Sequence, residues 1–366
     1  MMKIHRIAFL ILVIFTAGIS RMFAGISGTE EGHEHTEEDS FNVGEMIVDH
    51  ITDAYEWHIM DIGKTHVSIP LPVILVYEGR VDIFMSGKFH HGHSSYRGYK
   101  IAQEGENEGK IVRVIPGTMK TDPDADLPLD LSITKNVAAI FVSIIILCLI
   151  FISIANRYKK RSNEAPKGLQ SWLEPLIIFI RDDIAKASIG EKKYEKYVPY
   201  LLTLFFFIFL NNVLGLVPIF PGGANVTGNI AVTGVMALFT FFISTFSANK
   251  DYWRHIFNTP GVPWWLKFPV PLMPLVEVMG IFTKPFVLMV RLFANITAGH
   301  TIVLGFVSLI FIFGQRQAAL GYGLSVFSVS FVVFMGLLEL LVAFIQAYVF
   351  TLLSALYFGM ATEEHH

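Results

Sequence analysis

An all-α multi-pass membrane protein with five to six membrane helices is predicted, preceded by a small, partly β extracytoplasmic N-terminal segment. The last two helices are expected to be long, strongly tilted and paired as a hairpin. Three observations lead there. The 366 residues are 53% hydrophobic and only 16% charged, with a mean hydropathy of +0.52, a composition of chains that cross a bilayer several times. Two apolar stretches, 271–314 and 321–360, far exceed the ~20 residues a perpendicular span needs. They must tilt or bend, and Pro271, Pro274 and Pro285 permit bending. Residues 25–130 are instead polar and acidic. A net charge of −3 implies no nucleic-acid partner. The single cysteine, Cys148, lies in the apolar run SIIILCLIFISI, where it packs inertly and supports neither a disulfide nor a metal cluster.

The elements follow in order. Residues 1–24 open with Lys3, His5 and Arg6, then an apolar run from Ile7 to Ile19 and small residues. That pattern is a signal peptide, with an uncleaved N-terminal anchor as the alternative. Residues 25–130 form the extracytoplasmic segment, in which THVSIPLPVILVYEGRVDIFMSG and GKIVRVIPG alternate as short strands do. Its histidines (His33, His35, His90, His91, His93) stand among Glu, Gly and Ser at no metal-site spacing and are read as a solvated, flexible linker. The membrane part, 131–366, begins with Asp130-Leu131-Ser132 as a cap before a span over 135–156. Arg157, Lys159, Lys160 and Arg161 set its far end in the cytoplasm. Residues 170–189 mix apolar positions with Arg181, Asp182, Asp183 and Lys186, and are expected to lie on the cytoplasmic surface. Spans over 197–218 and 230–246 flank the uncharged loop PGGANVTGN, and Lys250, Arg254 and Lys267 return the chain to the cytoplasm.

Arg291 is the outlying feature. It sits within the 271–314 stretch with long apolar sequence on both sides. A guanidinium stays charged in a protein, so at membrane depth it costs several kcal/mol unless partners or water relieve it. Snorkelling to a headgroup is the competing reading. Glu277, Lys284 and Arg291 are spaced seven and seven apart and fall on one helical face, with Asn295 and Ala298 continuing the row. His300 faces the other way. Glu339 and Gln346, again seven apart, share a face of the last helix. One polar stripe thus runs from the cytoplasmic end to Arg291, and His300, Glu339 and Gln346 form a second set on the outer side. Glu and His exchange protons readily, so such groups line a wet path through a membrane. The competing reading is a set of structural polar pairs.

VRLFANITAGH, preceded by Glu277 and Lys284 and followed by LLELLVAFIQAYVFTLLSALYFGMA, closely resembles subunit a of the F-type ATP synthase membrane sector. The resemblance extends over about 125–364, through DLSITKNVAAIFV and FFIFLNNVLGLVP, and touches no motif in 1–124. It implies that Arg291 is the family's essential arginine, facing the carboxylate of each rotor subunit c in turn. His300 and Glu339 match a polar pair that occurs in the family in either order, Asn295 and Gln346 the arginine's surroundings and the inlet, and Glu277 and Lys284 the cytoplasmic outlet. Asn211 and Asn212 match a polar patch on an earlier span. The resemblance further implies a proton-conducting, non-catalytic stator subunit without cofactor. Its partners would be the subunit c ring, the peripheral-stalk subunit b, the lipid bilayer and, indirectly, the F1 sector. It places the chain in a bacterial inner membrane, with the N-terminal segment periplasmic and the C-terminus cytoplasmic.

Other classes fit less well. A secondary transporter would use Arg291 to hold an anionic substrate at the midplane, but repeated halves are absent from the sequence. An intramembrane hydrolase would need H-E-x-x-H or an activated serine. ATP hydrolysis by this chain would need a Walker-type glycine loop, which is also absent.

Overall fold

The computed structural model describes residues 52–62, 65–90, 92–115, 117–123, 125–160, 167–217, 220–257, 272–316 and 318–363. The expected signal peptide, 1–24, lies outside the described residues, as do His33, His35 and His91.

The N-terminal segment is β-structured over a longer range than its sequence pattern indicates. Strands β1 (Glu56–Ile62) and β2 (Thr65–Pro70) form one hairpin. β3 (Pro72–Tyr77) is the centre of a β4-β3-β7 sheet with β4 (Arg80–Met85) and β7 (Leu129–Asp130). β5 (Tyr99–Ile101) pairs with β6 (Ile111–Arg113). The β3–β4 turn has positive φ at both Glu78 (48°) and Gly79 (75°), the combination a two-residue hairpin needs and glycine supplies without strain. Register places Val73 opposite Phe84, and these pack with Leu75, Phe89, Tyr99 and Ile111 into a small core. The Arg113 guanidinium sits 4.8 Å from the ring centres of both Tyr77 and Tyr99. Tyr55 donates to Asp130 Oδ2 at 2.5 Å; burial and that carboxylate hold its phenol far above its ordinary pKa, so it remains a donor at physiological pH.

His90 and His93 are not in a linker. Ser86–Phe89 forms a 3-10 turn closed by His90 in the left-handed conformation, and Phe89 is fully buried beneath it. The buried aromatic organises a stretch whose polar neighbours disguise it.

Seven helices of eight or more residues follow among the described residues: α1 (Lys135–Lys160), α2 (Leu169–Phe179), α3 (Val198–Leu216), α4 (Ile230–Phe246), α5 (Lys250–Phe257), α6 (Leu272–Arg316) and α7 (Ala318–Thr362). Among the described residues four stretches are long and apolar enough to cross a membrane, 135–160, 198–216, 274–314 and 323–362. α4 is apolar but has 17 residues, the short end of spanning length. The protein is therefore a multi-pass membrane protein, with five apolar helices of 17 residues or more among the described residues.

The start of α1 differs from expectation. Asp130 belongs to β7, and the helix begins at Lys135, where Asp53 Oδ1 accepts from the Asn136 amide at 3.0 Å. The Lys135 amide donates to Ala54 O at 2.8 Å. A carboxylate remote in sequence thus satisfies the exposed donors of the helix N-terminus. α2 continues through a π-helical stretch (Ile180–Lys186) into Ala187–Ile189. One side of this segment, Ile180, Ile184 and Ala185, is buried in the main core with α3 and α7 residues. Arg181 and Asp182 pair at 2.8 Å on its exposed side.

α6 and α7 have 45 residues each, about 67 Å at 1.5 Å per residue, roughly twice the hydrocarbon thickness. α6 is unbroken through Pro285. The two helices pair antiparallel: the Phe306 and Phe331 rings meet at a tilt of 31° with centres 3.9 Å apart, Gly299 lies against Glu339, and Lys284 Nζ is 5.5 Å from the Tyr357 ring. Behind the hairpin, Phe205 and Phe209 of α3 pack edge-on against Phe344. A hydroxyl chain ties three helices: Tyr200 to Thr240 at 2.9 Å and Thr240 to Ser354 at 3.3 Å. Gly359 lets α7 approach the Ser188 carbonyl so closely that any Cβ would collide with it. Gly359→Val is accordingly expected to cost about 1–3 kcal/mol through backbone displacement, measured as a lower melting temperature of the purified subunit assembly.

Candidate functional site

The α6–α7 hairpin and the helices behind it enclose two separate polar spaces. The first lies near the start of α6 and the end of α7. It is a cavity of about 170 Å³ lined by Tyr252, Ile256, Glu277, Ile281, Lys284, Met360 and Glu363. Glu277 and Lys284 are both half-buried and share this cavity, as their spacing predicts. Tyr252 and Glu363 join them from α5 and the end of α7. The α7 terminus is pinned nearby, because Lys193 Nζ and Asn249 Nδ2 both donate to Thr362 O, at 2.9 and 2.8 Å. A tighter pocket continues along α6, lined among others by Lys284, Leu288, Thr240 and Tyr357.

The second space is a narrow cleft nearer the hairpin tip, lined by Asn212, Leu216, Asn295, Ile296, Gly299, His300, Glu339, Val342 and Ala343. At about 10 Å³ it has room for roughly one water. Glu339 reaches into it from α7, and its Oε1 is buried with no hydrogen-bond partner among the described residues. Gly299 makes this possible, since a Cβ there would come within 2.5 Å of Glu339 Oε1. Asn212 is buried and held on both sides: it accepts from Thr227 Oγ1 at 2.5 Å and donates to Ala343 O at 3.3 Å. Its neighbour Asn211 is buried too and donates to Phe207 O within its own helix, at 2.8 Å.

Asn295 has a double placement. It is exposed beside Arg291, where helical spacing sets it, and it also lines the cleft with His300 and Glu339. Asn295 stands at the edge of the Arg291 face, and α7 packs against that edge. His300 and Glu339, one on each arm of the hairpin, are brought together as expected. Gln346 is buried on α7 outside the cleft lining. Extending the Gly299–Glu339 register by two turns sets Gln346 at the level of Arg291.

Arg291 itself lies between the two spaces along α6 and lines neither. It is exposed on the surface of this chain, with Ala294, Asn295 and Ala298 exposed beside it. Val287 is exposed one turn earlier, and Gly280 and Gly305 on the same face have no neighbouring atoms within 4 Å of a Cβ position. The surface around the guanidinium is therefore shallow, built from small side chains on an otherwise apolar helix. Thr227, Tyr252, Glu363 and Gly299 were not singled out from sequence. The small residue directly before His300 was the one available signal.

Comparison with known proteins gives a concordant result. The family model described as "ATP synthase A chain" matches residues 137–359. A second model, described as a domain of unknown function, matches 46–131. The chain is 43% identical over 281 residues to ATP synthase subunit a of Chlorobium phaeobacteroides strain BS1, covering 71% of this chain and 79% of that one. It is 44% identical over 244 residues to ATP synthase subunit a of Chloroherpeton thalassium, covering 64% and 69%. With the subunit a of Myxococcus xanthus the identity is 42% over 258 residues, covering 69% and 78%. Five apolar helices, polar groups buried among them and a match across more than half of its length show that the chain belongs to the ATP synthase A chain family, as a subunit a of the proton-translocating membrane sector of F-type ATP synthase.

Proposed function

We propose that this subunit provides two half-channels that do not meet, and that Arg291 separates them while facing the carboxylates of a rotating ring of subunit c. The arrangement that carries the reading is the position of Arg291 on α6: the Glu277–Lys284 cavity lies before it, the Asn295–His300–Glu339 cleft lies after it, and the guanidinium is exposed between them. The cavity is the cytoplasmic outlet. The cleft is the periplasmic inlet, with Glu339 and His300 exchanging protons with water and Gln346 beside the arginine.

The physics is that of one fixed charge. A rotor carboxylate in contact with lipid is protonated, because its ionised form is heavily penalised there. Beside Arg291 the ionised form is favoured by about 4 kcal/mol at ~4 Å and an effective dielectric near 20. The carboxylate therefore gives up its proton to one passage and leaves only after reloading from the other. A stationary cation between the passages also repels any proton crossing directly. A membrane potential supplies ~2.3 kcal/mol per charge per 100 mV. In this reading the subunit is non-catalytic and takes no cofactor, the peripheral-stalk subunit b holds it, and it connects to the F1 sector indirectly. The secondary-transporter reading finds no support in the family match.

The small exposed residues beside Arg291 define the test. Single cysteines at Ala294 and Ala298 are expected to form disulfide cross-links with cysteines on the outer helix of subunit c in oxidised membranes, seen as a shifted band on gels. Absence of cross-links at both positions, with controls elsewhere on subunit c reacting normally, counts against this docking face.

A further inference from the structure

We propose that the N-terminal β segment is a clamp on the membrane domain, and that Trp57 is the positioning residue through which it shapes the Asn212–His300–Glu339 cleft. This rests on the reading of that cleft as an ion path. Trp57 is the second residue of β1 and packs beside its register partner Ile69 of β2, yet it is not among the buried residues of the β segment's own core. It is 3% exposed and is buried instead with Ala139 of α1 and with Ala224 and Val226 of the loop joining α3 to α4. Its Nε1 donates to Gly222 O at 3.3 Å, and its ring meets Phe220 edge-on at 5.1 Å. Tryptophan suits this place, because a large apolar body and one donor are used together.

The gripped loop leads directly into the cleft. It is folded back on the end of α3, with the Gly223 amide on Leu214 O at 3.1 Å. Gly222 lies so close to the Leu214 and Val217 carbonyls that no side chain fits. From the same loop the fully buried Thr227 donates to Asn212, which in turn holds Ala343 O of α7. Ala224 O and His300 Nε2 both lie within 4 Å of the Cβ position of Gly215. The loop thus reaches the cleft at Asn212 and comes near His300 across Gly215. A rigid chain of buried hydrogen bonds transmits a displacement, because packed interiors offer little slack. The match to the domain of unknown function covers Trp57, and the ATP synthase match begins only at residue 137. The clamp therefore joins parts that belong to different sequence families.

The test uses the assembled complex in native membranes, in a Cys148→Ala background with Leu216→Cys as a reporter in the cleft lining. The probe is a membrane-impermeant maleimide added to the side bearing the N-terminal segment. Trp57→Ala is expected to raise the labelling rate about fivefold and lower ATP-driven proton pumping by a similar factor at equal subunit content, the scale of one lost buried hydrogen bond. Trp57→Phe, which keeps the ring but not the donor, is expected to restore most of the pumping while labelling stays above the parent. Parental labelling and pumping in Trp57→Ala overturn the proposal. If that variant does not accumulate, Trp57→Phe decides: raised labelling supports the clamp and parental labelling overturns it. Arg291→Ala in parallel separates the two readings. Normal pumping there defeats the ion-path assignment, whereas lost pumping there with a normal Trp57→Ala defeats only the clamp.

Discussion

Arg291→Ala is expected to abolish ATP-driven proton pumping in inverted membrane vesicles while leaving the amount of subunit a in the membrane unchanged. Assembly is preserved because the side chain is exposed on this chain and no hydrogen bond or ion pair to it is seen among the described residues. Its removal leaves no buried group orphaned and no cavity. Pumping is lost because no other Lys or Arg lies between the cavity and the cleft among the described residues, Lys284 belonging to the cavity itself. The lost attraction, about 4 kcal/mol by the Coulomb estimate, corresponds to about a thousandfold in the equilibrium that holds a rotor carboxylate ionised. Arg291→Lys is expected to recover little, since an ammonium sheds its charge when a partner buries it and a guanidinium does not. Acid-induced quenching of a pH-sensitive dye in the vesicles measures the outcome, and normal quenching by Arg291→Ala refutes the assignment.

The second large effect is expected at Glu339. Glu339→Leu removes a half-buried carboxyl whose Oε1 has no hydrogen-bond partner among the described residues and leaves proton exchange to His300 alone. A fall of about a hundredfold in pumping rate is expected, the lower range for a positioned proton-transfer group. The same cleft makes a sharper comparison available. His300 and Glu339 lie on opposite arms of the hairpin and line one small space, so exchanging them as His300→Glu with Glu339→His keeps both groups there. The exchange is expected to be milder than either replacement alone. Additive losses in vesicle pumping rates would show that the two groups act independently. Gly299 must remain small in every one of these variants, given how closely Glu339 passes it.

Much of this arrangement is legible in the residues themselves. The apolar runs that become α1, α3, α4, α6 and α7 are each bounded by charges or turn residues, and all but the 17-residue α4 are long enough to cross a membrane. Spacing on one helix sets Glu277 and Lys284 in line, and they share a cavity. Other features escape such reading. β1 gave no clear strand signal, and Trp57 belongs to a cluster formed by residues far along the chain. The cap of α1 comes from Asp53 rather than from the adjacent Asp130 and Ser132. The histidine-bearing turn around Phe89 reads as a linker because its one organising side chain is surrounded by polar ones. Asn295 shows the general reason. Helical periodicity fixes the angle of a side chain about its own axis, but not where the neighbouring helix stands.

By itself the sequence determined that the chain crosses a membrane several times and carries an unneutralisable charge in its penultimate apolar segment. Composition and run length suffice for that, because the cost of exposing backbone or charge to lipid depends on residue type. Only the tertiary structure decided that a cavity and a cleft form around the two sets of polar groups, that Tyr252, Glu363 and Asn212 join them from other helices, and that Trp57 contacts the loop running from α3 to α4. Those outcomes depend on the register of α6 against α7 and on contacts between residues remote in sequence. Such contacts are set by how side chains of many elements pack at once, which no local pattern encodes.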